Sequence, residues 1–75
     1  MSEPLATMVD VRDMLCAQAL ALIARAAKSL GPEEPLEVTF NAEDVRRDLL
    51  VWAAQRGYDV EPLNAATVRL RRRIR

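Results

Sequence analysis

The chain contains no histidine and a single cysteine, Cys16, among its 75 residues. One cysteine cannot form a disulfide within the chain, and a lone thiol is typical of a reducing compartment, so we expect a cytoplasmic protein. Structural zinc sites need four ligands, mostly cysteine and histidine. We therefore expect no metal site, and no motif indicates a cofactor.

Long apolar stretches are missing as well. No run approaches the roughly 20 apolar residues that a membrane-spanning helix requires, and residues 1–9 lack the basic start of a signal peptide. Hydrophobic residues make up 51% of the chain and charged residues 29%, which is typical of a folded, soluble domain without membrane association. The length predicts one domain over residues 8–75 after a flexible lead over residues 1–7, and we expect a monomer.

Hydrophobic periodicity predicts the order βαβαββ. Apolar and polar residues alternate over 8–12, 36–40, 58–61 and 67–74, as in half-buried strands, and a turn over 62–66 joins the last two. Apolar residues spaced three and four apart predict a helix over about 17–30 and a second helix that is capped by Asn41 and ends at Gly57. This order calls for an α/β (α+β) two-layer sandwich, a four-stranded mixed sheet with both helices on one face.

Two segments resemble the motifs of one known family. Residues 9–16, Val-Asp-Val-Arg-Asp-Met-Leu-Cys, resemble its signature Leu-Asp-x-Arg-Gly-Leu-x-Cys. Residues 57–60, Gly-Tyr-Asp-Val, resemble its Gly-His-Glu-Val at the end of the second helix. The family is that of the TusA-type sulfur carriers, also called SirA-type, and the resemblance covers about residues 8–74, nearly the whole chain.

The resemblance implies a strand order of 1-2-4-3 with the last strand antiparallel. It also implies a sulfurtransferase role in which a cysteine desulfurase loads a persulfide onto Cys16. The carrier then passes this sulfur to an acceptor protein, for tRNA thiolation or related sulfur metabolism. Four neighbouring residues are candidates for contacts with the loop or a partner. They are Asp10, Arg12, Asp13 and Gln18.

The sequence departs from the family pattern beside the thiol. The family's Cys-Pro-x-Pro is Cys-Ala-Gln-Ala here, so Ala17 stands where proline would fix the start of the helix. Asp13 replaces the loop glycine, and we expect its charge to raise the pKa of the Cys16 thiol if the two groups are close. The free N–H groups and the positive dipole at a helix start act in the opposite direction and favour a thiolate.

Two other functions remain open. The chain could be a degenerate family member that acts as a non-catalytic interaction or regulatory module, with Cys16 as a small hydrophobic residue of the core. For Asp10 and Arg12 the plainer interpretation is an exposed ion pair with a neighbouring strand, and we favour it over contact with the loop or a partner.

The third function is nucleic-acid binding through the arginines of the last strand. The implied strand order places acidic residues on both sides of that strand, so we expect Arg69 and Arg71 to form cross-strand ion pairs. Arg73 and Arg75 lie beyond these acids and are expected to be free. No aromatic residue lies on that face to stack a base, so we do not expect direct nucleic-acid binding.

Overall fold

The computed structural model describes residues 7–31 and 34–73. They form six elements in the predicted order βαβαββ. The elements are β1 (Thr7–Asp10), α1 (Cys16–Lys28), β2 (Leu36–Thr39), α2 (Glu43–Gln55), β3 (Tyr58–Asn64) and β4 (Thr67–Arg72). Predictions for residues 1–6 of the lead, and for Ile74 and Arg75 at the end of the last strand, lie outside the described residues.

The four strands form one mixed sheet in the order β1-β2-β4-β3. β1 pairs parallel with β2, and β4 runs antiparallel to both β2 and β3. This confirms the predicted sheet. Since β1 and β2 are parallel, the chain after each of them emerges at the same edge of the sheet.

The core lies between the sheet and the two helices, which gives the predicted two-layer architecture. Each helix contributes one apolar stripe and each strand one buried face, as the periodicity requires. The largest fully buried side chains come from both layers and from the loop after β1. They are Ile23, Leu36, Leu49, Leu70, Val11, Val38 and Val45.

Several predicted boundaries differ in the structure. β3 continues through Pro62 to Asn64 with an irregularity in the pairing, because an edge strand tolerates a proline that cannot donate to a neighbour. α1 ends at Lys28, before Gly31, because the N–H groups of Ser29 and Leu30 turn back to the carbonyls of Ala26 and Ala27. At the other end of the chain, β1 begins at Thr7 and stops at Asp10.

Candidate functional site

Cys16 is the first residue of α1 and follows the loop that leaves β1. Its side chain is partly buried against the core and partly exposed, and it is a free thiol. The alanine-rich sequence that follows favours a helix, and Leu15 occupies the position before its first turn in an extended conformation. The thiol therefore lies where the loop enters the helix.

Two loops at this edge of the sheet are tied together by side-chain hydrogen bonds. The Asp13 N–H donates to Asn41 Oδ1 at 2.9 Å, and Asn41 Nδ2 donates to Asp13 Oδ1 at 2.9 Å. Asp13 adopts a φ of 63°, a conformation that aspartate tolerates better than most residues and that suits the glycine of the family pattern. The predicted cap role of Asn41 is wrong, because its side chain forms hydrogen bonds with Asp13 and Ala42 is the residue that precedes α2.

Asp10 and Arg12 bind each other. Arg12 donates from Nε at 3.0 Å and from Nη2 at 2.8 Å to the two carboxylate oxygens of Asp10. The hydrogen bonds from Arg12 lower the pKa of Asp10 from 3.8 to about 2. The alternative of an ion pair with a neighbouring strand is therefore wrong, since the pair is local and exposed. Its stabilising effect is correspondingly small.

Gln18 supports the start of α1 from within the helix. Its Oε1 accepts a hydrogen bond of 3.2 Å from the N–H of Leu15, which is half of a capping box. Gln18 thereby fixes the backbone immediately before Cys16.

The nearest charged group to the thiol comes from α2. Cys16 Sγ donates to Asp48 Oδ2 at 2.7 Å and lies 4.0 Å from the carbonyl oxygen of Asp44. The hydrogen bond to Asp48, burial, and the charges of Asp48 and Asp44 raise the pKa of Cys16 from 9.0 to about 11. The expectation that the helix start favours a thiolate is therefore wrong, because the hydrogen bond to Asp48, burial and the two acidic charges raise the pKa of Cys16 instead. Asp13 is not a cause of the raised pKa.

Sequence reasoning missed Asp48 and Asp44 as neighbours of the thiol. Residues four apart on a helix share one face, so the spacing shows that these two acids lie side by side. It does not show that this face turns toward Cys16, because that depends on how α1 and α2 pack.

A groove of about 400 Å³ runs along α1 from Met14 to Arg25. Leu15, immediately before Cys16, is 73% exposed. Leu22, which the sequence places on the polar side of α1, packs partly against the core. The groove residues are Met14, Gln18, Ala21, Leu22 and Arg25.

Of the arginines at positions 69, 71 and 73, two form ion pairs among the described residues. Arg69 pairs with Glu37 at 3.0 Å and with Glu61 at 3.8 Å, as predicted. Two other predictions are wrong, since Arg71 was expected to form an ion pair and Arg73 to be free. Arg73 pairs with Asp59 at 2.9 Å, the acid directly opposite Arg71, and Arg71 has no ion pair within the described part of the chain.

The described residues, 7–31 and 34–73, contain neither a metal-binding cluster nor a membrane-spanning helix. Within these ranges no group of three or more acidic, cysteine or histidine side chains could hold a metal ion. None of the helices described there is long and apolar enough to cross a membrane.

The fold and site together define a small α+β protein that presents one partly exposed thiol where a helix begins. The sequence model of the family described as sulfurtransferase TusA matches residues 7–74. The chain therefore belongs to the TusA sulfurtransferase family, which implies a sulfur-carrier role in general. Searches among curated proteins and among solved structures find no match.

Proposed function

We propose that this protein relays sulfur as a persulfide on Cys16. The observation that carries the proposal is the position of the only thiol, partly exposed at the first residue of α1 in a chain that matches the TusA family. The donor is a cysteine desulfurase and the recipient is an acceptor protein, in tRNA thiolation or related sulfur metabolism. A reducing compartment such as the cytoplasm keeps the thiol available.

The loading step exchanges one sulfur–sulfur bond for another. The sulfur of Cys16 attacks the outer sulfur of the donor's cysteine persulfide, and the donor's sulfur–sulfur bond breaks as the new bond forms. The proton released from Cys16 ends on the donor's departing sulfur. The products are a Cys16 persulfide and a donor thiol, so no outside oxidant or reductant is needed.

Asp48 keeps the unloaded thiol at rest. With a pKa of about 11, about one Cys16 in ten thousand is a thiolate at neutral pH. We propose that a basic group of the donor neutralises the carboxylates of Asp48 and Asp44 when it docks, which releases the nucleophile only in the complex. Once loaded, the acidic S–H lies about 2 Å farther out, beyond the new sulfur–sulfur bond, where the repulsion from Asp48 is weaker.

A sulfur-release experiment tests the relay. The protein is incubated with a cysteine desulfurase and ³⁵S-labelled cysteine, separated from the enzyme, and treated with cyanide, which removes only sulfane sulfur. We expect label to be bound by the wild-type protein, to leave as thiocyanate, and to be absent from Cys16→Ser. Label that survives cyanide, or that also appears on Cys16→Ser, contradicts a persulfide on this residue.

The non-catalytic interaction module is the second candidate, and one observation favours it. The thiol is held protonated by Asp48, and both motif prolines are missing, so the site resembles one that has lost its reactivity. A module of this kind binds its partner without accepting sulfur. Co-purification of a desulfurase with both the wild-type protein and Cys16→Ser, without any label transfer, supports this candidate.

A further inference from the structure

A second cavity lies at the end of the sheet opposite Cys16. It measures about 230 Å³ and is bordered by the C-terminal ends of both helices, the start of β3 and the end of β4. Three cationic and two aromatic side chains line it. They are Lys28, Arg56, Arg72, Trp52 and Tyr58.

The two aromatic rings hold two of the cations in place. Trp52 and Tyr58 stack with their centroids 5.5 Å apart. The guanidinium of Arg56 lies 5.8 Å from the Trp52 ring centroid, and that of Arg72 lies 5.9 Å from the Tyr58 centroid. Cation–π contacts of this kind favour orientations that keep the guanidinium groups over the rings.

The charge at this cavity is unbalanced. Across residues 7–31 and 34–73, no ion pair involves Lys28, Arg56 or Arg72. The two helix C-termini contribute about −0.5 charge each, since Lys28 ends α1 and Arg56 follows α2. The three cations exceed this by about two positive charges, so the cavity attracts an anion.

We propose that this cavity binds a compact phosphate-bearing anion such as diphosphate. Guanidinium groups match phosphate oxygens with paired hydrogen bonds, and Lys28 adds a third positive charge at the rim. The volume of about 230 Å³ is below the roughly 300–1,000 Å³ typical of drug-sized ligands. The two rings already stack on each other, and a guanidinium lies near each of them, so a nucleobase would have to compete with these contacts in order to stack.

Titration of the ¹⁵N-labelled full chain with sodium diphosphate at low ionic strength tests this proposal. We expect saturable shifts of the Trp52 indole N–H and of the side-chain N–H signals of Arg56 and Arg72. Loss of one charge-assisted contact in Arg72→Gln should weaken binding about tenfold or more, and the spectrum shows directly whether the variant is folded. Cys16→Ser should bind normally, which separates this site from sulfur transfer.

Arg71→Gln is the matched control. It removes the same charge from the adjacent position of β4, but on the alternate face of the strand, and it should leave binding nearly unchanged. The proposal is overturned if diphosphate causes no saturable shift, or if Arg71→Gln weakens binding as much as Arg72→Gln. A single-stranded oligonucleotide forms the second arm, and binding of this probe without binding of diphosphate also overturns it.

Discussion

The Asp48 carboxylate controls the protonation of Cys16. A thiolate at this position would face the negative charge of Asp48 at hydrogen-bond distance and that of Asp44 one helical turn away. The positive end of the α1 dipole amounts to about half a charge and is exposed to solvent. The hydrogen bond to Asp48, burial and the charges of Asp48 and Asp44 raise the pKa of Cys16 to about 11, so the resting state is a thiol.

Asp48→Asn should lower the pKa of Cys16 from about 11 toward 9.0, because the neutral amide removes the repulsion while keeping the shape. Each unit of decrease should raise the rate of alkylation by iodoacetamide near neutral pH about three- to fourfold, because a tenfold gain in thiolate is partly offset by the lower nucleophilicity of a less basic thiolate. The measurement is the alkylation rate as a function of pH. Asp13→Asn is the matched control and should leave the titration of Cys16 unchanged, whereas an equal effect of both variants would contradict the assignment to Asp48.

The start of α1 is the element that places the thiol. The first intrahelical hydrogen bond runs from the Ala19 N–H to the Leu15 carbonyl, so the Ala17 N–H has no acceptor within the helix. Ala17 is the second residue of α1 and not, as we expected, the first. Proline is therefore tolerated at this position without loss of a bond, but it disfavours helical geometry in the residue before it.

Ala17→Pro should shift the start of α1 by one residue and move Cys16 into an extended conformation. Sγ then leaves Asp48, so the thiol pKa should fall and sulfur loading should become faster. The Cα chemical shift of Cys16 reports the conformation, and a thiol titration reports the pKa. A shifted helix start with an unchanged thiol pKa would show that the contact with Asp48 does not depend on the helix start.

We propose that the groove along α1, which begins at Met14 two residues before Cys16, is the docking surface for the sulfur donor. Ala21→Glu places a bulky charge in the groove and should slow loading by a desulfurase while leaving alkylation by iodoacetamide unchanged. Ala54→Glu, at an exposed alanine of α2, is the control and should load normally. Equal loading of both variants and the wild-type protein would exclude this groove as the docking surface.

The stability of the whole molecule should depend on pH through the same thiol. Between pH 9.0 and about 11, the folded chain keeps a proton that the unfolded chain has lost. The folded state binds more protons in this range, so the free energy of unfolding should fall as the pH rises. Urea denaturation across this range should show a smaller decrease for Cys16→Ser than for the wild-type protein, and identical slopes would contradict the raised pKa.

The sheet and the helices could be predicted because each carries a local pattern. Alternation identified the strands, and stripes spaced three and four apart identified α1 and α2. The extent of β3 could not be predicted, because Pro62 ordinarily ends a strand and is tolerated here only at the edge of the sheet. Edge position is a property of the assembled sheet and leaves no signal in the local sequence.

In the candidate site, too, some features follow from the local sequence and others depend on the assembled fold. Cys16 could be placed at the helix start because turn residues and an unbroken helical pattern adjoin it. Asp48 lies 32 positions away in the chain, and only the packing of α1 against α2 brings it to the thiol. Asn41 was assigned to a cap by its local position, but the adjacent loop uses its side chain instead.

The most direct test of the sulfur-carrier role is the intact mass of the protein after incubation with a cysteine desulfurase and cysteine. We predict that the wild-type protein gains the mass of one sulfur atom, that a reductant removes it, and that Cys16→Ser gains none. Asp48→Asn and Ala17→Pro should gain the same mass in less time. If the wild-type protein, Asp48→Asn and Ala17→Pro all gain no sulfur, the role of Cys16 as a sulfur carrier is contradicted.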